Sequence, residues 1–393
     1  MKPMFDYPAL PMVENPHVCI VSHLFPNRKQ PLSGVFVSEG VRAMSRYRPV
    51  SVVAPVSYFP ILRSCRGVPR EDKDRSVTIR HPRYLALPKW LVAHRWRSFY
   101  GALKRGLKNA DPQPSLFHTH WVYPDGYATA RYARAQGKKM IVTVHGHIAL
   151  TFPCGRRELV TDSLLAAERV ITVSTELRTE LITLGVREEK IRLIRNGYDP
   201  EKFSPKPRDE ARTQLGLPES APIAITVARL SSEKGIDTLL QAMDSCVRND
   251  LLLYLIGDGP LRLTLETMVK QLGLSERVTF LGGIAHRELN SWFSAADVVC
   301  LPSFTEGCPV VLHEAFACGI PVVASAVGAI TELVTTDDLG MLCPPGDHLR
   351  LAKTLDAAVS RAWDHARIAE YGRSFTWAAV AKETSAVYAE ILD

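Results

Sequence analysis

At 393 residues, 46% of them hydrophobic, the chain exceeds the length at which a single core usually stops growing, so two domains are expected. It has no run of eighteen apolar residues to span a membrane and no basic-then-apolar leader in MKPMFDYPALPMVENP, and its eight cysteines lack CxxC spacing, reading as reduced thiols of a cytoplasmic protein and not as a zinc or disulfide framework. The net charge of +7 hides an asymmetry: residues 1–200 hold 31 Lys/Arg against 16 Asp/Glu, while residues 201–393 hold 17 against 25, so the two halves are expected to face different partners.

The segment HVCIVSHLFP (17–26) reads as a strand, followed by a loop with Ser33-Gly34, a helix in VSEGVRAMSRY and a second strand in PVSVVAP. This β-loop-α-β opening predicts a Rossmann-like domain, although no GxGxxG dinucleotide fingerprint is present. Gly34 either lets the backbone approach a ligand or serves a simple turn. Residues 63–108 carry 13 basic and 3 acidic residues. Within them PKWLVAHRWRSFYGALKRGLK interleaves aromatic and basic side chains, which suits either an interfacial helix on an anionic membrane or a core helix with a charged solvent face. No nucleic-acid recognition module accompanies the charge, so nucleic acid is not an expected partner. The acidic run Glu71-Asp72-Asp74 is expected in a charged loop, with no metal role.

SLFHTH (115–120) and KKMIVTVHGH (138–147) predict further strands, and the latter delivers His145 and His147 to a strand's carboxyl end. A neutral imidazole there can hydrogen-bond a sugar hydroxyl or a reacting group; the alternative is a satisfied structural histidine, and His118 and His120 carry less signal. KIRLIRNGYD closes the first domain near residue 200. The proline-bearing, charged stretch 201–222 reads as linker plus capping helix. From 223 to 343 strands and helices alternate, predicting a second parallel sheet covered on both faces in a domain of 223–373, and the terminal helix 374–393 is expected to return to the first domain by fold analogy.

The strand IAITVARL delivers Arg229, and Lys234 follows in the strand-to-helix loop. Fixed cations there can neutralise a diphosphate, and they aid the leaving group more as its charge grows. In PSFTEGCPVVLHEAFACGIP, Glu306 falls in a loop after a strand and Glu314 inside the following helix. Carboxyl ends of parallel strands are where open α/β sheets bind ligands, and the first-turn amides at 309–312 can hold a phosphate. One acid near the phosphate and one deeper fit the hydroxyls of a nucleotide-sugar. His313 is expected off the helix's apolar side.

The stretches ITVARLSSEKG, LIGDGP, VTFLGGI and PSFTEGCPVVLHEAFACGIPVVAS resemble the retaining glycosyltransferases of family 4, which have the α/β GT-B fold of two Rossmann-like domains facing across a cleft. LFPNRKQPLSGVFV, HWVYPDG and VTVHGH resemble the subgroup of teichuronic acid and exopolysaccharide biosynthesis. The resemblance implies Glu306 at donor-sugar hydroxyls, Glu314 at the ribose, and Arg229 and Lys234 at the diphosphate, helped by backbone at Val310, Val311 and Leu312 and by the Gly34 loop. It further implies His145 near sugar and acceptor, the base read by backbone at Gly283 and Ile284, a donor carried on uridine diphosphate, and front-face attack without a metal or other cofactor. Val310 stands where relatives often have asparagine, and Thr331 where proline is frequent, which leaves donor preference open. A glycan or polyprenyl-diphosphate-linked acceptor at the inner face of the membrane would satisfy the basic first domain; a soluble small acceptor, a nucleotide-sugar epimerase and a non-catalytic binding module are the competing readings.

Overall fold

The computed structural model describes residues 16–58, 65–87, 89–110, 112–146 and 157–392. Two sheets account for the architecture. The first contains β1 (Val18–Val21), β2 (Val50–Val53), β4 (Glu71–Asp74), β5 (Val77–Arg80), β7 (Leu116–Thr119), β8 (Lys139–Val144), β9 (Arg169–Thr172) and β10 (Ile191–Leu193), in the order β10-β9-β8-β7-β1-β2-β5-β4. All its pairings are parallel except that of the edge strand β4. A small separate pair joins β3 (Val56–Ser57) to β6 (Arg83–Tyr84). The second sheet is wholly parallel: β11 (Ile223–Val227), β12 (Leu252–Ile256), β13 (Val278–Gly282), β14 (Val298–Leu301), β15 (Val322–Ser325) and β16 (Gly340–Cys343), ordered β13-β12-β11-β14-β15-β16. Most strands are short apolar runs buried along their length, as expected where helices cover both faces.

One local reading of an element is corrected. The acidic run Glu71–Asp74 is not a loop but strand β4, antiparallel to β5, where charged side chains are tolerated on an edge. GMLC at the start of GMLCPPGD forms strand β16. The aromatic–basic segment forms a 3₁₀ turn, Lys89–His94, and a helix, Arg95–Leu107. Phe99, Leu103 and Leu107 of that helix are buried in the first-domain core, and Trp96 and Tyr100 pack at its margin. Trp96 is further covered by Arg97 and Arg131 at 5.6 and 4.9 Å from its ring centroid. The aromatic half of the interfacial reading is therefore spent on the core, while Lys104, Arg105 and Lys108 stay exposed.

The connecting stretch after residue 200 includes the helix Arg208–Leu215, whose Arg212 is almost fully buried. Its guanidinium donates to Ala295 O at 3.0 Å and pairs with Asp297 at 2.8 Å, tying this segment to the second domain. The last helix, Trp377–Leu392, packs Trp377, Ala381, Val387, Tyr388 and Ile391 among first-domain residues such as Val18, Ile20 and Val41. Tyr388 and His118 Nδ1 hydrogen-bond at 2.6 Å, and His118 Nε2 meets Thr143 Oγ1 at 2.7 Å. His118 stacks on His120 at 4.5 Å, and His120 Nδ1 lies 3.0 Å from His145 Nε2. A column of three imidazoles thus runs from the terminal helix to the carboxyl edge of the first sheet.

Burial keeps these rings neutral: it pushes His118 and His145 well below the usual imidazole range and His120 down to about 3. Folded values below the unfolded value of about 6.5 mean that the unfolded chain takes up protons first as pH falls. Stability is then complete above pH ~6.5 and declines below it, each ring contributing up to about 1.4 kcal/mol per pH unit. Urea unfolding at a series of pH values between 7.5 and 5 is expected to show this decline, and a flat profile would contradict the neutral column.

Candidate active site

The seam between the domains is formed by the carboxyl edges of both sheets. Gly34 caps the helix Val35–Met44 with φ 66°, and a Cβ there would stand 2.2 Å from Leu24 O. Both its turn and its packing against the β1 exit loop therefore require glycine. Gly307 has a different reason: a Cβ would meet His145 O at 2.0 Å, so the loop after β14 lies directly against the end of β8 across the domains. Asn196 Nδ2 donates to Cys308 O at 2.8 Å beside it. Glu332 accepts from Thr175 N at 2.7 Å and pairs with Arg195 at 2.6 Å, fastening the same seam further out.

Glu306 is buried on that loop, and its Oε1 accepts from Lys234 Nζ at 2.6 Å and from Ser303 Oγ at 2.7 Å. Lys234 ends a short 3₁₀ turn, Ser232–Lys234, that follows β11. Phe304 N donates to Glu233 O at 2.9 Å, so the two loops carrying the pair are also joined through backbone. Arg229, in the β11 exit, is exposed; its carbonyl accepts from Ser231 N at 2.9 Å, while its guanidinium has no hydrogen-bond or ion-pair partner among the described residues. It therefore stands available for a ligand.

Beside these groups lies a cavity of about 490 Å³, within the size range of small-molecule sites, which Gly34, Glu39, Arg229, Ile284, Val310 and Glu314 help to line. Gly283 and Ile284 reach it from the β13 exit. Glu314 is nearly fully buried in the helix Val310–Ala317 and receives His286 Nε2 at 2.6 Å. Burial pushes its carboxyl above the usual range, which the His286 hydrogen bond and Lys202 partly offset and Glu39 reinforces. Glu39, from the first domain, is itself held by Lys202 Nζ at 2.5 Å and Arg42 at 3.0 Å.

The predicted residues are thus brought to one region, with different roles open to them. Gly34, Arg229, Gly283, Ile284, Val310 and Glu314 share the large cavity; Lys234 and Glu306 form the ion pair next to it. Val311 and Leu312 turn their side chains into the second-domain core, so they could serve a ligand only through their backbone. Leu312 N–H already donates to Pro309 O at 3.1 Å, which leaves the earlier amides of the turn as the free ones. His145 is half-buried and packs on Phe36 at 4.8 Å between ring centroids, with Nδ1 unpartnered among the described residues, and lines an adjoining cavity of about 50 Å³. His147 lies outside the described residues. His313 is corrected: it is fully buried, 3.4 Å from Cys308 Sγ and packed on Phe375, and burial pushes it down to about 3.

Two residues of the cavity, His286 and Glu39, and one neighbouring pair, His23 with Asp125, escaped the sequence reading. His286 follows GGIA directly, so its nearness to the β13 exit was available as a signal. Glu39 looked like an ordinary helix residue, and only tertiary packing places it in the cavity. His23, just after β1, is held by the fully buried Asp125 through its backbone N at 2.6 Å and Nδ1 at 2.7 Å. A histidine at a strand's carboxyl end was the available clue for that pair.

Comparison with known proteins agrees with this architecture. Residues 37–202 match Glycosyltransferase Family 4, and residues 207–375 match Glycosyl transferases group 1. A D-inositol 3-phosphate glycosyltransferase of Frankia alni is 31% identical over 326 residues, 75% of this chain and 78% of that protein. A Bacillus subtilis protein that carries a provisional teichuronic acid biosynthesis glycosyltransferase name, TuaC, is 27% identical over 365 residues, 88% and 89% of the two chains. Among solved structures, sucrose-phosphate synthase from Thermosynechococcus elongatus superposes with a TM-score of 0.81 at 25% identity, covering 96% of this chain and 99% of that one. Anabaena Alr3699/HepE in complex with UDP-glucose superposes with a TM-score of 0.73 at 21% identity, covering 95% and 100%. Two facing Rossmann-like domains, a family 4 first half and a group 1 second half together place the chain in one family: it belongs to the GT-B-fold glycosyltransferases.

Proposed function

We propose that the protein moves a sugar from a UDP-sugar to a glycan or polyprenyl-diphosphate-linked saccharide, with retention of anomeric configuration, in cell-surface polysaccharide synthesis at the inner face of the membrane. The observation that carries the reading is the Lys234–Glu306 pair beside a cavity that also presents Arg229 and Glu314. The HepE complex with UDP-glucose supports the choice of carrier, and the TuaC likeness supports the polysaccharide setting.

In this reading the nucleoside occupies the 490 Å³ cavity. Glu314, oriented by His286, accepts from ribose hydroxyls, and backbone around Gly283 and Ile284 meets the base. The diphosphate lies toward Arg229, Lys234 and the amides of Val310 and Val311. Those groups need no reorganisation as negative charge grows on the departing β-phosphate, so they favour the transition state over the ground state. Glu306 holds hydroxyls of the transferred sugar, exchanging part of its bond to Lys234 for bonds to the donor. The acceptor hydroxyl attacks from the face the phosphate leaves, and a phosphate oxygen takes its proton. His145, kept neutral by burial, stands near sugar and acceptor. Apposition of the two domains excludes water and limits hydrolysis. Charge neutralisation is assigned to side chains and amides, and no metal is invoked. Among the described residues no helix is long and apolar enough to cross a membrane, so attachment to the leaflet would rest on the exposed basic residues of 63–108. The likeness to D-inositol 3-phosphate glycosyltransferases favours a second reading, a soluble phosphorylated acceptor.

Two experiments test this. Purified protein is screened for binding and slow hydrolysis of UDP-glucose, UDP-galactose, their N-acetylated forms and GDP-mannose, with the released anomer read by proton NMR. Saturable binding of a UDP-sugar is expected, with release in the retained configuration and a loss of roughly 10²–10³ in rate in K234A or E306A. An inverted product would refute retention, and no donor binding would refute the transferase reading. Separately, E314Q is expected to weaken UDP by about 1.5–3 kcal/mol while leaving the already weaker 2′,3′-dideoxy-UDP nearly unchanged. Equal losses for the two nucleotides would remove Glu314 from the ribose.

A further inference from the structure

Away from the donor cavity, at the other flank of the first sheet, lies a cavity of about 360 Å³ whose walls include Arg70, Arg80, Arg83 and Arg105, with Glu71 as their acidic neighbour. The four guanidiniums come from separate pieces of chain: the approach to β4, the end of β5, β6, and the last turn of the helix Arg95–Leu107. Two of them are held in place by carbonyl oxygens. Arg83 donates to His81 O at 3.0 Å and also to Val68 O, and Arg105 donates to Arg83 O at 2.6 Å. Such bonds fix direction without cancelling charge. Glu71 pairs with Arg80 at 3.1 Å, and nearby Asp74 is taken by Arg42 at 2.6 Å. Arg70 is exposed; its carbonyl accepts from His81 N at 2.8 Å, while its guanidinium has no ion-pair or hydrogen-bond partner among the described residues. Several like charges kept together with one carboxylate repel one another, an arrangement that an anion would relieve.

Register locates the cavity relative to the site. Arg80 pairs with Val53, Val53 with Val21, Val21 with Thr119 and Thr119 with Val142. Arg80 is therefore level with the ends of the strands that deliver His120 and His145, four strand spacings, or roughly 19 Å, across the sheet. The cavity is on the edge where ligands meet parallel sheets, but too far from His145 for a phosphate carried on the same ring as the reacting hydroxyl.

We propose that this arginine cavity is a phosphate-binding subsite. It holds a phosphate or diphosphate group separated from the reacting sugar by several sugar residues, or presented by an anionic lipid headgroup beside the acceptor. Resting on the transferase reading above, this assigns the first domain a second anchor for its acceptor, built by guanidiniums that match phosphate geometry in pairs.

The test is calorimetric titration of pyrophosphate into the full chain with the donor cleft saturated by UDP. It compares R70A/R105A with K104A/K108A, which removes the same charge from outside the cavity. Single-site pyrophosphate binding is expected, weakened at least about tenfold in R70A/R105A and less than about twofold in K104A/K108A, with melting temperature and UDP affinity unchanged. Co-sedimentation with phosphatidylcholine vesicles, with and without phosphatidylglycerol, separates the sources. Loss of anionic-vesicle binding in R70A/R105A alone assigns the cavity to a headgroup; unchanged vesicle binding assigns it to a phosphate on the acceptor. Absence of saturable pyrophosphate binding, or equal losses in the two double variants, overturns the subsite. Failure of the wild type to bind UDP would instead refute the donor reading, and the pyrophosphate titration would still report on this cavity.

Discussion

A carboxylate with 8% exposure is costly unless something meets it. Glu306 is met by Lys234, and that contact constrains everything around it. The two residues ride on exits of adjacent strands, β11 and β14, so the pair fixes how those loops leave the sheet. The β14 exit then carries Gly307 against the His145 carbonyl, and the first domain is placed relative to the second by backbone packed on backbone. A side chain at 307 would separate the domains before any question of chemistry arose. The placement of the cavity between Gly34 and Val310 follows from the same approach.

Much of this was legible because the informative signals are local. Apolar runs such as HVCIV, MIVTV and VVCL are strands whatever surrounds them, and residues just past their ends must reach the carboxyl edge of a parallel sheet. This is why Arg229, Lys234, Glu306 and His145 could be placed from sequence. The failures share the opposite property. Glu71–Asp74 is a strand because β5 offers it an antiparallel edge, not because its residues favour extension. His313 is buried because Phe375 and Cys308 close over it. For Trp96 the sequence left an interfacial and a core-side setting both open, and Tyr127 and Arg131, from a helix distant in sequence, are what cover it. In each case the deciding neighbour is far along the chain, and periodicity cannot report it.

The same limit applies to charge. Summed over halves, the first domain is basic and the second acidic, which suggests an anionic partner for one and a cationic partner for the other. The structure divides the charge more finely. Acidic Glu39 belongs to the basic half yet lines the large cavity, where Lys202 and Arg42 hold it. Arg229, which lines that cavity, and Lys234, paired with Glu306 beside it, belong to the acidic half. A donor diphosphate would therefore be met by local positive groups in a domain of net negative charge, because interactions at a few ångströms exceed those of charges beyond a screening length of about 8–10 Å.

The neutral imidazoles give the seam another property. His118, His120 and His145 connect Tyr388 on the terminal helix to the edge facing Gly307. Charged rings in such a stack would repel one another and demand water; neutral ones can be packed closely and need a single hydrogen-bond partner at each nitrogen. Among the described residues His145 Nδ1 lacks that partner. A buried polar atom without one carries a desolvation cost of about 1–3 kcal/mol, and the surrounding packing keeps it in place. The terminal helix thus does more than cover apolar surface: through Tyr388 it sets the orientation of His118, on which the ring of His120 rests, and His120 in turn fixes which face of His145 is turned toward the seam.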